Sequence, residues 1–198
     1  MKNKLKTLCL TTLLLVASVT AQAQTTLGDV VVGSNNITIT NAGPGEGSLS
    51  RNDALWIDDL EGGLALPGYS LGDDAYEGSA FSQSFTSAAG SVFSFNWTLS
   101  TDAFDAGFAD RAFATINGHV VTLGSVAASA VSGSFSHTFA SAGLYTISLG
   151  VVDVNDTSGV SSLHVSNINV TAVPEPETYA LLLAGLGLLG AVARKRRG

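Results

Sequence analysis

An all-β sandwich is the fold this sequence predicts for its central residues. Three observations carry the prediction: apolar side chains recur with a period of two, turn residues interrupt them at roughly 8–14-residue intervals, and helix formers are scarce. Between residues 24 and 172 about a quarter of the side chains are Ser or Thr, and no lysine occurs. Ser, Thr, Gly, Asn and Val all have modest helix propensity, so this composition favours strands and turns.

The elements follow in order. Residues 30–32 and 36–40 are short apolar-rich strands. In residues 79–85, Phe81 and Phe85 fall on one side. In residues 91–100, Phe93, Phe95, Trp97 and Leu99 alternate with Ser94, Asn96 and Thr98, the signature of a half-buried strand with an aromatic inner face. Residues 112–117 and 119–123 flank Asn117-Gly118 and read as a hairpin. Phe135, His137 and Phe139 alternate within 132–139. Ala142-Gly143 turns the chain into a strand lined by Tyr145, Ile147, Leu149 and Val151, and residues 163–170 form the last. Two sheets hiding one apolar face each solve the packing of these strands, in jelly-roll or Greek-key order. The stretch 41–78 is Gly-rich, acidic and weakly periodic. It reads as a long surface excursion with room for one short strand near Trp56.

The N-terminus has three lysines in its first six residues, an apolar run over 8–19, and Ala21-Gln22-Ala23. A basic start, a short apolar core and small residues at the last and third-last positions make a secretory signal peptide. Cleavage by signal peptidase is expected between Ala23 and Gln24, which divides residues 1–23 from a 24–172 ectodomain. Cys9 leaves with the signal, so no disulfide, thiolate metal site or cysteine nucleophile remains.

At the other end, Val173, Pro174, Glu175 and Pro176 precede an uncharged run over 178–193, closed by Arg194, Lys195, Arg196 and Arg197. As a helix that run is about 24 Å long against a hydrocarbon core of about 30 Å, so a single transmembrane helix there is short. Arginine snorkelling and bilayer thinning make up such a difference, and the basic tail stays cytoplasmic. Ala180, Ala184, Gly187 and Ala191 form a small-residue stripe that lets another helix approach. Residues 173–198 resemble the PEP-CTERM sorting signal of Gram-negative bacteria. The resemblance implies recognition of Pro174, Glu175 and Pro176 by exosortase, a multi-pass membrane protease, followed by release or transfer of the protein. A plain C-terminal membrane anchor is the other reading of the same segment.

Residues 24–172 hold 14 acidic residues against Arg51 and Arg111. Such a balance excludes gripping nucleic acid through phosphates. The acids cluster in expected loops and strand ends, among them Asp102, Asp105 and Asp110. These three are the candidate Ca²⁺ ligands, since calcium takes hard oxygens and is plentiful outside cells; solvated turn carboxylates are the alternative. Trp56, Tyr69, Tyr76 and Phe108 lie in loops and are candidates for stacking on sugar rings, or else plug the ends of the sandwich. Gly68-Tyr69-Ser70-Leu71-Gly72 fits G-x-S-x-G but lacks the strand and helix of a nucleophile elbow. His119, His137 and His164 lack zinc spacing. The G-x-G-x-x-G over 185–190 lies in the C-terminal run, too near the chain end for a dinucleotide site.

The expected molecule is an exported, non-enzymatic cell-surface or matrix protein. By the sorting resemblance it would act beside secreted polysaccharide in a biofilm. A carbohydrate-binding module, calcium-assisted, is the alternative.

Overall fold

The structure, a computed structural model, describes residues 21–102, 107–171 and 176–195. The expected signal helix before Ala21 lies outside the described residues, as do Asp105, Val173, Pro174, Glu175, Arg196 and Arg197.

One antiparallel sheet is built from β1 (Ala21–Leu27), β5 (Ala75–Ser87), β10 (Gly143–Val154), β7 (Asp110–Ile116) and β8 (His119–Val126), in that spatial order, with β4 (Leu55–Trp56) added to β5. The other runs β2 (Asp29–Val32), β3 (Asn36–Thr40), β11 (Ser161–Thr171), β6 (Val92–Thr101) and β9 (Val131–Thr138). The two sheets share one apolar core. Phe93, Phe95, Trp97 and Leu99 of β6 all turn inward, as their alternation predicts, and meet Phe81, Leu149 and Val151 from the facing sheet. The β7–β8 hairpin turns at Asn117 (φ 48°) and Gly118 (φ 81°). Both residues have the positive φ that a tight hairpin turn of type I′ demands, which explains Asn-Gly at this point.

The stretch 41–78 departs from expectation. It is more than a surface excursion: after β4 comes a short helix, α1 (Ile57–Gly63), and Leu60, Leu66 and Leu71 pack on Ala80, Phe113 and Val152. Those last three point outward from the first sheet, since their neighbours Phe81, Ala112 and Val151 point into the main core. The excursion thus roofs the outer face, and β10 is buried on both sides from Ile147 to Val154. One helical, one turn and one loop residue supply the three leucines, so no single period exposes them in the sequence. Asp58 and Asp59 in the first turn of α1 suit the positive end of the helix dipole.

The expected C-terminal run forms α2 (Pro176–Lys195). Among the described residues no helix is long and apolar enough to cross a membrane.

Candidate functional site

Strand register gathers the chain's charge. Asp29 stands opposite Thr40, Thr101 opposite Ser161, Asp110 opposite Val126, and Val154 opposite Ala75. These positions mark one end of the sandwich. The described Asp, Glu and Arg residues between 24 and 171 fall at position 29 or within 46–77, 102–111 and 153–156, the segments that border this end or carry the α1 roof. The other end, with the Asn117-Gly118 turn, carries none.

The 64–74 loop is tied down from two sides. The Glu61 carboxylate, buried at 2% exposure, accepts the backbone N–H groups of Tyr69 (2.8 Å) and Leu71 (2.7 Å). Arg111 forks onto Asp74 at 2.7 and 3.3 Å and donates to the Leu71 carbonyl at 2.6 Å. That guanidinium holds the Asp74 carboxyl below its ordinary range, chiefly by hydrogen bonding. At the tip, Tyr69 is 80% exposed with φ 64°. A bulky residue in the left-handed region is strained, and such strain persists only where surrounding structure imposes it. Of the other candidate aromatics, Trp56 is 62% exposed at the start of α1, Tyr76 is exposed on β5, and Phe108 is exposed in the loop before β7. None of the four plugs the core. Ser70, the central residue of G-x-S-x-G, donates its hydroxyl to the Pro67 carbonyl within a turn.

Five of the acids differ from solvated turn carboxylates, while Asp53, Asp58, Asp59, Asp73 and Asp102 are exposed. Asp29, Glu61, Glu77, Asp110 and Asp153 are all buried. Asp29 accepts the Thr40 hydroxyl (2.5 Å) and the N–H groups of Leu49 (2.8 Å) and Ser50 (2.6 Å). Burial pushes its pKa up, but these bonds outweigh burial and hold it low. Glu77 goes the other way: burial, with the charges of Glu46 and Asp53, raises it to about 7.

Two of the three candidate calcium ligands have hydrogen-bond partners of their own. Asp105 lies outside the described residues. Asp102 accepts the Val160 N–H (2.8 Å), while Asp110 turns inward to Asn41 Nδ2 (3.0 Å) and the Val154 N–H (3.2 Å). Among the described residues no group of three or more His, Cys, Asp or Glu side chains is placed to hold a metal ion. Asp153 is at 0% exposure, and burial followed by the charge of Asp110 pushes its carboxyl far above the usual range. Two steps of simple alternation foretell this inward pair: Asp153 continues Leu149 and Val151, and Asp110 continues Ala114 and Ala112.

The family model of the PEP-CTERM protein-sorting motif matches residues 172–197, so the chain carries that motif. No curated protein matches the chain. Similar solved structures include the N-terminal cellulose-binding domain of β-1,4-glucanase C from Cellulomonas fimi, at 7% identity and TM-score 0.36, covering 77% of this chain and 90% of that one. A second, described as a CBM4 structure, has 12% identity and TM-score 0.35 over 77% of this chain and 78% of that one. TmCBM61 in complex with β-1,4-galactotriose has 12% identity and TM-score 0.36 over 76% and 88%.

Proposed function

We propose that this chain is an exported, non-enzymatic surface or matrix protein whose destination is set by exosortase. The observation that carries the reading is the sorting motif at residues 172–197, with Pro174, Glu175 and Pro176 as its recognition element. In this reading signal peptidase cuts between Ala23 and Gln24. The register of β1 on β5 supports that position: an irregularity lies between Ala21 and Gln24, and Gln24, Thr25, Thr26 and Leu27 keep their partners on β5 after the cut. Helix α2 occupies the membrane only while exosortase handles it, with Arg194 and Lys195 in its last turn held on the cytoplasmic side. The delivered β-domain then works in the envelope or matrix beside secreted polysaccharide. The test is mass spectrometry of the protein from its own host. The expected product begins near Gln24 and ends near Pro174. Replacing Pro174, Glu175 and Pro176 together by Ala leaves the Arg194–Gly198 tail intact in the membrane fraction. Normal release of that variant overturns the reading.

A second reading is carbohydrate binding, favoured by the anchored, strained display of Tyr69. An exposed aromatic ring carried on an anchored backbone stacks on a sugar with less ordering cost than one on a free loop. Tyr69→Ala is expected to weaken binding of the host's neutral exopolysaccharide at least tenfold with thermal stability unchanged, measured by affinity electrophoresis. Equal retardation of wild type and variant removes Tyr69 from any such site.

A further inference from the structure

Register places two acids face to face inside the sandwich. Val152 of β10 pairs with Arg111 of β7 at the end of their ladder, and the next residues of the two strands, Asp153 and Asp110, interact with each other. Both extend inward-pointing rows. From the facing sheet, Ser161 extends the inward row of Leu163 and Val165, and Asn41 extends that of Ile37 and Ile39. The four residues form one polar layer across the charged end of the core, each no more than 6% exposed. Asn41 serves two of them: its Oδ1 accepts the Ser161 N–H at 2.6 Å, and its Nδ2 donates to Asp110 Oδ2 at 3.0 Å. Asp110 Oδ1 takes the Val154 N–H at 3.2 Å. Three oxygens of the layer remain without a hydrogen-bond partner, namely Asp153 Oδ1, Asp153 Oδ2 and Ser161 Oγ.

Directly opposed carboxylates repel, and an unpartnered buried carboxylate costs far more than a satisfied one. Positive charge between the two strands resolves both penalties. We propose that Asp153, Asp110 and Ser161 form a buried site for a calcium-type divalent cation that ties the two sheets together at their charged end. The donors are all hard oxygens, carboxylate and hydroxyl, with no nitrogen or sulfur, a set that suits Ca²⁺ rather than zinc or copper. Only two of the donors are acidic residues, and the neutral Ser161 hydroxyl joins them. Calcium accepts such mixed, irregular sets, whereas magnesium demands near-ideal octahedral geometry. The acidic residues grouped at this end raise the local concentration of cations. This site is distinct from the Asp102 grouping and is independent of how the chain is sorted.

The test is thermal unfolding of the purified protein, stripped with chelator, in EDTA, in millimolar CaCl₂ and in millimolar MgCl₂ at neutral pH. Calcium is expected to raise Tm by at least about 5 °C, and magnesium by much less. Equilibrium dialysis should count one calcium per chain. Asp153→Asn is expected to remove the calcium shift and leave the EDTA melting point equal or higher, because the neutral amide sits buried beside Asp110 without needing a cation or a proton. Should that variant not fold, Ser161→Ala is expected to weaken calcium binding about tenfold in dialysis. Asp102→Asn keeps the full shift. The proposal is overturned by a wild-type Tm indifferent to calcium, including the case where only acidification raises it and a shared proton joins the pair. A full shift retained in both Asp153→Asn and Ser161→Ala overturns it equally.

Discussion

Phe95→Ala is expected to destabilise the domain by about 3–5 kcal/mol, the usual cost of deleting a fully packed phenyl ring. Phe95 is 2% exposed at the middle of β6, stacked on Phe135 at 5.0 Å between ring centroids and tilted against Phe93 at 5.6 Å. Phe93 stands on β6, which is paired on both sides, so the backbone on that side cannot collapse into the space. Domains of this size have about 5–15 kcal/mol in hand, so the variant should unfold at markedly lower urea. Asn96→Ala, one residue along and facing solvent, should stay within about 0.5 kcal/mol. Equal urea midpoints for Phe95→Ala and wild type would contradict the two-sheet core.

Glu77 should make the domain more stable in mild acid than at neutral pH. Its carboxyl is 4% exposed and faces the charges of Glu46 and Asp53, which with burial raise it from 4.5 to about 7. The folded state therefore binds this proton more tightly than the unfolded one. The contribution is fully present below about pH 4.5 and is lost as pH rises towards 7. A shift of that size corresponds to about 3 kcal/mol, as an order of magnitude. Asp29 has the opposite sign: its lowered pKa adds stability above the ordinary aspartate range and loses it in stronger acid. Comparing Glu77→Gln with wild type at each pH in EDTA isolates the effect. The variant should decline less steeply than wild type between about pH 4.5 and 7, because the other buried acids still titrate in both, and parallel pH profiles would show that Glu77 does not titrate as described.

Alternation was the readable signal, and it worked wherever one face meets the core and the other meets water. The run from Phe93 to Leu99 is such a case, and Asn117-Gly118 marks the β7–β8 turn by backbone chemistry alone. The signal fails where both faces are covered. Val152 and Phe113 look like solvent-side residues of their strands but lie under Leu60 and Leu66. It fails again at β1, whose Gln24-Thr25-Thr26-Leu27 has little apolar character because it pairs along a sheet edge. The sorting motif was legible because it is a local chemical string; the inward acids continue the alternation of their strands, but a carboxylate at a strand end reads as solvated until its sheet partner is known. Asn41 and Ser161, ordinary residues in the sequence, matter only through the partners the fold brings to them.

Strand β11 starts at the acidic end with Ser161 and leaves the sandwich at Thr171, beside Val92. Whatever grips the chain beyond that point therefore holds it by its neutral pole. The domain is an electric dipole, and in the proposed setting above a negatively charged envelope repulsion would turn the acidic pole outward. The Asp153 layer rides on that outward pole, and the orientation weakens as added salt shortens the reach of the field.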